Sequence, residues 1–94
     1  MARVQINKIE KLEMELPDGT IKEALFNLEA IKIYRDEFGE IVEEEMLNKT
    51  YDFVSKILYC GMKVLDQSVT IDEATALVIG GGAALVEEIG RAHV

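Results

Sequence analysis

The stretch Tyr51–Leu65, YDFVSKILYCGMKVL, organises the rest of the chain. It contains no proline and one glycine, and its apolar residues recur at helical spacing. The first apolar stripe consists of Tyr51, Val54, Leu58, Gly61, Met62 and Leu65, and a second stripe beside it of Phe53, Ile57, Cys60 and Val64. The polar residues, with Tyr59 among them, are confined to a narrow arc. The apolar arc therefore spans roughly 200°, about twice what a helix packed on one side needs, and it has to be covered from two directions.

The chain is short and acidic, with 94 residues and a formal net charge of −8. This length fits one domain, which we place at residues 1–89. No basic patch stands out, which argues against nucleic acid and anionic membranes as partners. The longest apolar run, Ala74–Val86, is shorter than the roughly 20 residues needed to cross a bilayer. Because the chain has one cysteine and no apolar run in its first twenty residues, we expect a soluble cytoplasmic protein.

A β-hairpin is predicted at about residues 3–26. Apolar and polar residues alternate over Lys11–Leu16, and a weaker alternation extends back to Arg3 with an irregularity near Lys8. The turn is Pro17-Asp18-Gly19, because Asp-Gly supplies the positive φ values of a tight hairpin.

The length of the hairpin loop decides which residues pair. A two-residue loop sets Glu15 opposite Lys22, which is a favourable cross-strand pair. A three-residue loop shifts the register by one residue and sets Glu13 opposite Glu23. We therefore predict the two-residue loop. Its apolar pairs are Leu16 with Ile21 and Leu12 with Leu25.

Helices are predicted at about residues 28–38, 49–66, 71–79 and 83–89. Asn27 is the N-cap of the first helix and Gly39 ends it, with Leu28, Ile31, Tyr34 (or Arg35) and Phe38 on one face. Residues 40–48 are compatible with a helical turn or an ordered loop. Thr70 and Glu73 form a capping-box pattern, and the glycines at 80–82 predict a break. Residues 90–94 have no pattern and are interpreted as a disordered end or as residues added to the natural chain. The predicted fold is α+β, with an N-terminal β-hairpin packed against three to four helices.

Three sequence features resemble chemical sites. Val78–Leu85 contains a glycine-rich run of the kind that binds a dinucleotide, but a capped helix rather than a strand precedes it, and the chain ends too soon for the second half of such a fold. Cys60 lies on the apolar arc, far in sequence from the only histidine, His93, and is interpreted as a buried thiol. The acidic run Glu43–Glu45 lacks the spacing of a metal-binding loop. We therefore predict no enzyme activity, no cofactor and no metal.

A protein-binding surface is the remaining candidate. If the hairpin and the neighbouring helices cover one stripe of the central helix, the second stripe is free for another protein or for a second copy of the chain. The residues predicted to make these contacts are Phe53, Ile57 and Val64. The alternative is that the domain's own elements cover both stripes.

The order of these elements resembles a known family. The hairpin closed by Pro17-Asp18-Gly19, the helix ending in Gly39, the run Ile57-Leu58-Tyr59-Cys60-Gly61-Met62-Lys63 and the capped segment Thr70-Ile71-Asp72-Glu73-Ala74 resemble the tail assembly chaperones of long-tailed bacteriophages and related prophages. The resemblance covers about residues 8–80. The glycine triplet and the last residues depart from it.

The resemblance implies a role in virion morphogenesis in the host cell cytoplasm. Chaperones of this family bind the tape measure protein and keep it soluble until the tail tube protein polymerises around it, and they have no catalytic residues. The alternatives are a structural or connector subunit that stays in the phage particle, a small intracellular protein-interaction domain, and a ligand-binding regulatory domain with its site near the glycine triplet.

Overall fold

The structure, a computed structural model, describes residues 11–93. Within them, two strands and four helices follow one another: β1 Lys11–Glu15, β2 Ile21–Leu25, α1 Leu28–Phe38, α2 Glu43–Asn48, α3 Thr50–Leu65 and α4 Ile71–His93. The strands form an antiparallel hairpin. The predicted α+β class, with an N-terminal hairpin packed against helices, is confirmed. The part of the predicted hairpin before Lys11 lies outside the described residues.

Helix α3 is the centre of the fold. It packs against α4, β2, α1 and α2, and it supplies more of the core than any other described element. Its buried residues are Phe53, Val54, Ser55, Ile57, Leu58, Tyr59, Cys60, Gly61 and Met62. The broad apolar arc predicted for this helix therefore exists, and the domain's own elements cover most of it.

The hairpin lies directly on α3 because small residues meet at the contact. A Cβ atom added to Gly61 would lie 2.7 Å from Cε1 of Phe26 and 3.2 Å from Cβ of Ala24, which is closer than packed atoms normally come. Ala24 is fully buried at this point. Glycine at position 61 therefore lets the backbone of α3 approach the strand.

The predicted hairpin register is wrong by one residue. Glu13 pairs with Glu23, and Leu12 pairs with Ala24, so the loop has three residues. The amide of Gly19 donates to the carbonyl of Leu16 at 2.9 Å, and Gly19 has φ 88°. This is the common three-residue loop, a type I turn followed by a glycine in the left-handed region.

Local chemistry explains why this register is stable despite its pair of glutamates. Pro17 occupies the second position of the turn, where its fixed φ is favoured. Lys11 forms an ion pair with Glu23, which offsets the repulsion between the facing carboxylates. The shift turns Ile21 to the outer face, where it is 54 % exposed, and gives Ala24 the core position.

Helix α1 has the predicted ends but a different buried face. The side chain of Asn27 accepts from the amide of Ala30 at 3.1 Å, and the amide of Gly39 donates to the carbonyl of Arg35 at 3.1 Å. The buried residues are Ala30 and Tyr34, whereas Leu28, predicted on this face, is 83 % exposed. Leu28 lies two residues before Ala30, which places it about 200° around the helix from that buried position.

Helix α4 starts and breaks where the sequence predicts. The hydroxyl of Thr70 accepts from the amide of Glu73 at 3.2 Å, and Gly82 departs from helical geometry with φ 60° and ψ −153°. After the break the helix continues to His93, beyond the end predicted at about Ile89. The interpretation of residues 90–94 as a disordered end or as added residues stays a prediction. Arg91 and Ala92 are good helix formers, and no proline stops the helix.

Candidate protein-binding groove

The residues predicted to contact a partner lie largely in the core. Phe53 and Ile57 are each 6 % exposed, and Val64 is partly buried against the same cluster. The ring of Tyr34 on α1 packs 6.1 Å from that of Phe53, measured between centroids. The premise that the domain leaves this stripe uncovered is wrong, because α1 and the other elements packed around α3 bury it.

Tyr59 belongs to the polar arc of α3 in the sequence pattern, but in the structure its side chain is buried, at 6 % exposed. Its ring packs edge-on against Phe38, and its hydroxyl donates to Oε1 of Glu37 at 2.7 Å. The ammonium of Lys63 completes the cluster, donating to Oε2 of Glu37 at 2.8 Å and to the Tyr59 hydroxyl at 3.0 Å. We name Glu37, Tyr59 and Lys63 the α1–α3 clamp.

The hydrogen bonds of the clamp shift the pKa values of Glu37 and Lys63 in opposite directions. The hydrogen bond from Lys63, which has the larger effect, and the hydrogen bond from Tyr59 hold the pKa of the Glu37 carboxyl below its usual value. Hydrogen bonds to Glu37 and then Tyr59 raise the pKa of Lys63. Both charges are therefore stabilised at neutral pH, and the clamp joins two helices rather than presenting a free acid or base.

The structure also places the other residues that resembled chemical sites in the sequence. Burial raises the pKa of the Cys60 thiol to about 12, so the thiol stays protonated and is a weak nucleophile at neutral pH. In the described part of the chain, no three histidine, cysteine, aspartate or glutamate side chains are grouped to hold a metal ion. The glycine triplet follows a helix in the structure, which is not the strand-to-helix turn of a dinucleotide site.

A groove of about 840 Å³ separates the hairpin from α4. On one side lie the residues of β1 and the turn, and on the other lies a row of mostly small residues of α4 spaced three to four apart. The lining residues are Leu12, Glu13, Met14, Glu15, Leu16, Pro17 and Gly19, and, from α4, Ala76, Leu77, Gly80, Gly81, Ala84, Leu85 and Glu88. Its position on the surface makes it open to a large ligand.

The break in α4 shapes one wall of this groove. Gly82 takes a backbone conformation that other residues rarely adopt. The turn at Gly82 brings Leu85 against Gly81, where an added Cβ atom would lie 2.6 Å from the Cβ of Leu85. Because Gly80 and Gly81 have no side chains, α4 protrudes little into the groove at these positions, and the groove stays wide.

The groove is apolar inside and acidic outside. Leu12, Leu16, Leu77 and Leu85 are partly buried along it. Glu13 and Glu15 are exposed on β1. This combination suits a ligand with an apolar face and positively charged neighbours.

Sequence reasoning missed this groove. The sequence predicts a helix break at the glycine triplet and, as one alternative, a ligand site near it, and the spacing of Ala76, Gly80 and Ala84 was the signal that an open wall lies there. The hairpin register mattered as much, because a one-residue shift exchanges the backbone groups of β1 that pair with β2 and those that point away from it.

A second surface lies around α2 and is less suited to a ligand. Ile41, Val42, Leu47 and Tyr51 are exposed there, with Leu47 at 72 %. The neighbouring cavity of about 420 Å³ is lined mainly by charged and polar side chains, and Lys56 is ion-paired with Glu45 beside it. The apolar residues are therefore spread among charges rather than gathered along one groove.

Comparisons with protein-family models, with curated proteins and with solved structures give no match for this chain. Among the described helices, none combines the length and apolar character needed to cross a membrane.

Proposed function

We propose that this protein is a tail assembly chaperone of a long-tailed phage or prophage. In this role it binds the tape measure protein in the host cytoplasm, keeps it soluble, and releases it when the tail tube protein assembles around it. The observation that carries the proposal is the apolar groove between β1 and α4 in a chain of net charge −8. The resemblance of the motifs over residues 8–80 supplies the identity of the client.

A holding protein needs two surface properties that oppose each other. It needs exposed apolar area to bind the apolar segments of an unassembled client, and it needs charge to keep the complex from aggregating. The groove supplies the first property. The acidic surface supplies the second, and it repels further copies of the same acidic chain.

Co-expression with a tape measure protein from the same genome tests the proposal. We expect the chaperone to raise the soluble fraction of the tape measure protein severalfold, to form a complex with it, and to be absent from finished tails. Failure to raise solubility or to form a complex would overturn the proposal. If the chain were found in purified particles, the protein would instead be a structural or connector subunit.

Two variants of α4 make the test specific to the groove. Ala84 and Ala83 are adjacent and exposed on the same helix, but only Ala84 lines the groove. We expect Ala84→Glu to reduce the rescue of the tape measure protein and Ala83→Glu to leave it unchanged, with equal melting temperatures. Equal rescue by both variants would show that the client binds elsewhere.

A further inference from the structure

The outer edge of β1 lies along the groove, and no described strand pairs with its backbone N–H and C=O groups. The amide of Leu16 donates to the carbonyl of Thr20 at 2.8 Å, so Leu16, Met14 and Leu12 direct their backbone groups toward β2. In an antiparallel pair this direction alternates, and Glu13 and Glu15 therefore direct their N–H and C=O groups to the other side, into the groove. Within residues 11–93, no further strand pairs with β1.

The sheet is also too narrow for the helices beneath it. Helix α3 packs against β2, and α4 packs against both α3 and β1. Neighbouring helix axes lie about 8–10 Å apart, whereas neighbouring strands lie about 4.8 Å apart. In the described part of the chain, two strands therefore leave part of a two-helix layer uncovered. The uncovered part is the row of small residues on α4 that lines the groove.

The strand sets the length of the groove. The five residues of β1 extend over about 17 Å at the rise of a strand. On the other side, the lining residues of α4 lie before and after its break at Gly82. The space along β1 therefore has the length of one extended segment of about five residues.

A helix and a strand in this space would differ in one respect. A helix has no free backbone groups along its length, so it would cover the amides and carbonyls of Glu13 and Glu15 without pairing them, which is unfavourable. An added strand would pair them, as in β-augmentation, and would place alternate side chains over the small residues of α4. The backbone chemistry of the groove therefore favours an extended segment.

The charges of β1 specify the side chains of that segment. Glu13 and Glu15 are exposed, share one face of β1 and lie beside the open edge. Residues opposite them on an added strand are most favourable as lysine or arginine. The other face of the added strand lies over Ala76, Gly80 and Ala84, which accept apolar side chains. Two copies of this chain are a poor pair here, since each carries a net charge of −8.

We propose that the open edge of β1 binds an extended segment of a partner protein in which apolar residues alternate with lysine or arginine. The segment adds a third strand to the hairpin and lies over α4. This inference rests on the proposed function in assuming that the natural partner is a protein client, and it names the kind of segment bound.

Binding of a synthetic peptide tests the proposal. The probe is a labelled ten-residue peptide of alternating lysine and valine, with blocked ends, measured by fluorescence anisotropy against the full chain. A first control peptide has the same composition with its valines at helical spacing. A second has the alternating sequence with alternate residues N-methylated, so that one edge cannot donate. We expect the alternating peptide to bind at least tenfold more tightly than either control.

Two variants at one position separate backbone pairing from charge. Glu13→Pro removes an amide that points into the groove, whereas Glu13→Thr keeps this amide and removes the same charge. We expect Glu13→Pro to weaken binding at least tenfold relative to wild type and Glu13→Thr to weaken it less than threefold. Hydrogen exchange at the amides of Glu13 and Glu15 is expected to slow when the peptide is bound.

Several results would overturn the proposal. Two of them concern binding: the three peptides bind equally, or the two Glu13 variants have equal effects. A third is unchanged hydrogen exchange at the amides of Glu13 and Glu15 when the peptide is bound. A fourth is a dimer of this chain that pairs through the edge of β1 and is lost in Glu13→Pro. If Glu13→Pro lowers the melting temperature, the N-methylated peptide decides, because it leaves the protein intact. Rescue of the tape measure protein without any preference among the peptides would refute the strand while leaving the proposed function standing.

Discussion

The hairpin meets the helices in two places, and glycine has opposite effects in them. Where β2 crosses α3, Gly61 lets the two backbones come together, and Ala24 and Phe26 fill the space completely. Where β1 faces α4, Gly80 has open space around the position of its missing side chain, and the contact stays open as a groove. The same residue type therefore closes one contact and leaves the other available to a ligand.

The difference follows from what lies opposite each glycine. Phe26 follows β2 directly and packs against α3, so the space at Gly61 is filled by a residue of the same chain. Along α4 the facing strand is an edge, and no described element lies beyond it. A closed contact contributes to the stability of the domain, whereas an open one is available to a partner.

The largest effect is expected from a charge on the closed side. Ile57→Asp places a carboxylate at a position that is 6 % exposed, and we expect it to lower the free energy of unfolding by more than about 3 kcal/mol. Leu65→Asp is the control on the same helix, since Leu65 is 48 % exposed, and we expect about 0.5 kcal/mol or less. Urea denaturation measures both. Similar stability of the two variants would show that α3 is less enclosed than described.

A medium effect is expected from adding one methyl group at each contact. Gly61→Ala clashes with Phe26 and is expected to destabilise by about 1–2 kcal/mol, which is the overpacking effect less the gain in helix propensity. Gly80→Ala meets nothing within 4 Å and is expected to stabilise by about 0.5–1 kcal/mol. Thermal unfolding of the pair gives the sign of each change. Two changes of the same sign would remove the contrast between the contacts.

The smallest effect is expected at the α1–α3 clamp, on the closed side. The pKa of Glu37 is lower in the folded than in the unfolded chain. Its contribution to stability is therefore present above the unfolded-state pKa of about 4.5, and it is lost as the pH falls through the folded-state pKa. We expect this contribution to be below about 1 kcal/mol, since the pair is partly exposed to solvent. Glu37→Gln should therefore destabilise at pH 7 and have little effect at pH 2. An equal effect at both pH values would show that the charge of Glu37 is unimportant.

Most of the secondary structure follows from local patterns. The helical period of α3, the cap of α1 at Asn27, the stop at Gly39 and the break at Gly82 all depend on residues within about one turn of each other. Such features can be read from a single sequence. The hairpin register was predicted wrongly although its cause is also local, because the preference of Pro17-Asp18-Gly19 for a three-residue loop outweighs the Glu15–Lys22 pair.

The proposed binding surface was harder to predict than the fold. Periodicity shows how much of α3 is apolar, but it does not show which neighbours cover each stripe. Phe53 and Tyr59 are buried because Tyr34 and Phe38 of α1 pack against them, and this depends on the path of the chain between α1 and α3. The groove likewise depends on two elements, β1 and α4, that are about 60 residues apart.

The sequence by itself determined the class of the fold, the centre of its core and the position of the break in α4, since each depends on residue spacing and on local backbone preferences. The tertiary structure alone decided which apolar surface is hidden and which is open. The physical reason is that burial is set by contacts between distant segments, and their relative positions depend on packing, such as the close approach at Gly61, rather than on the pattern of any one segment.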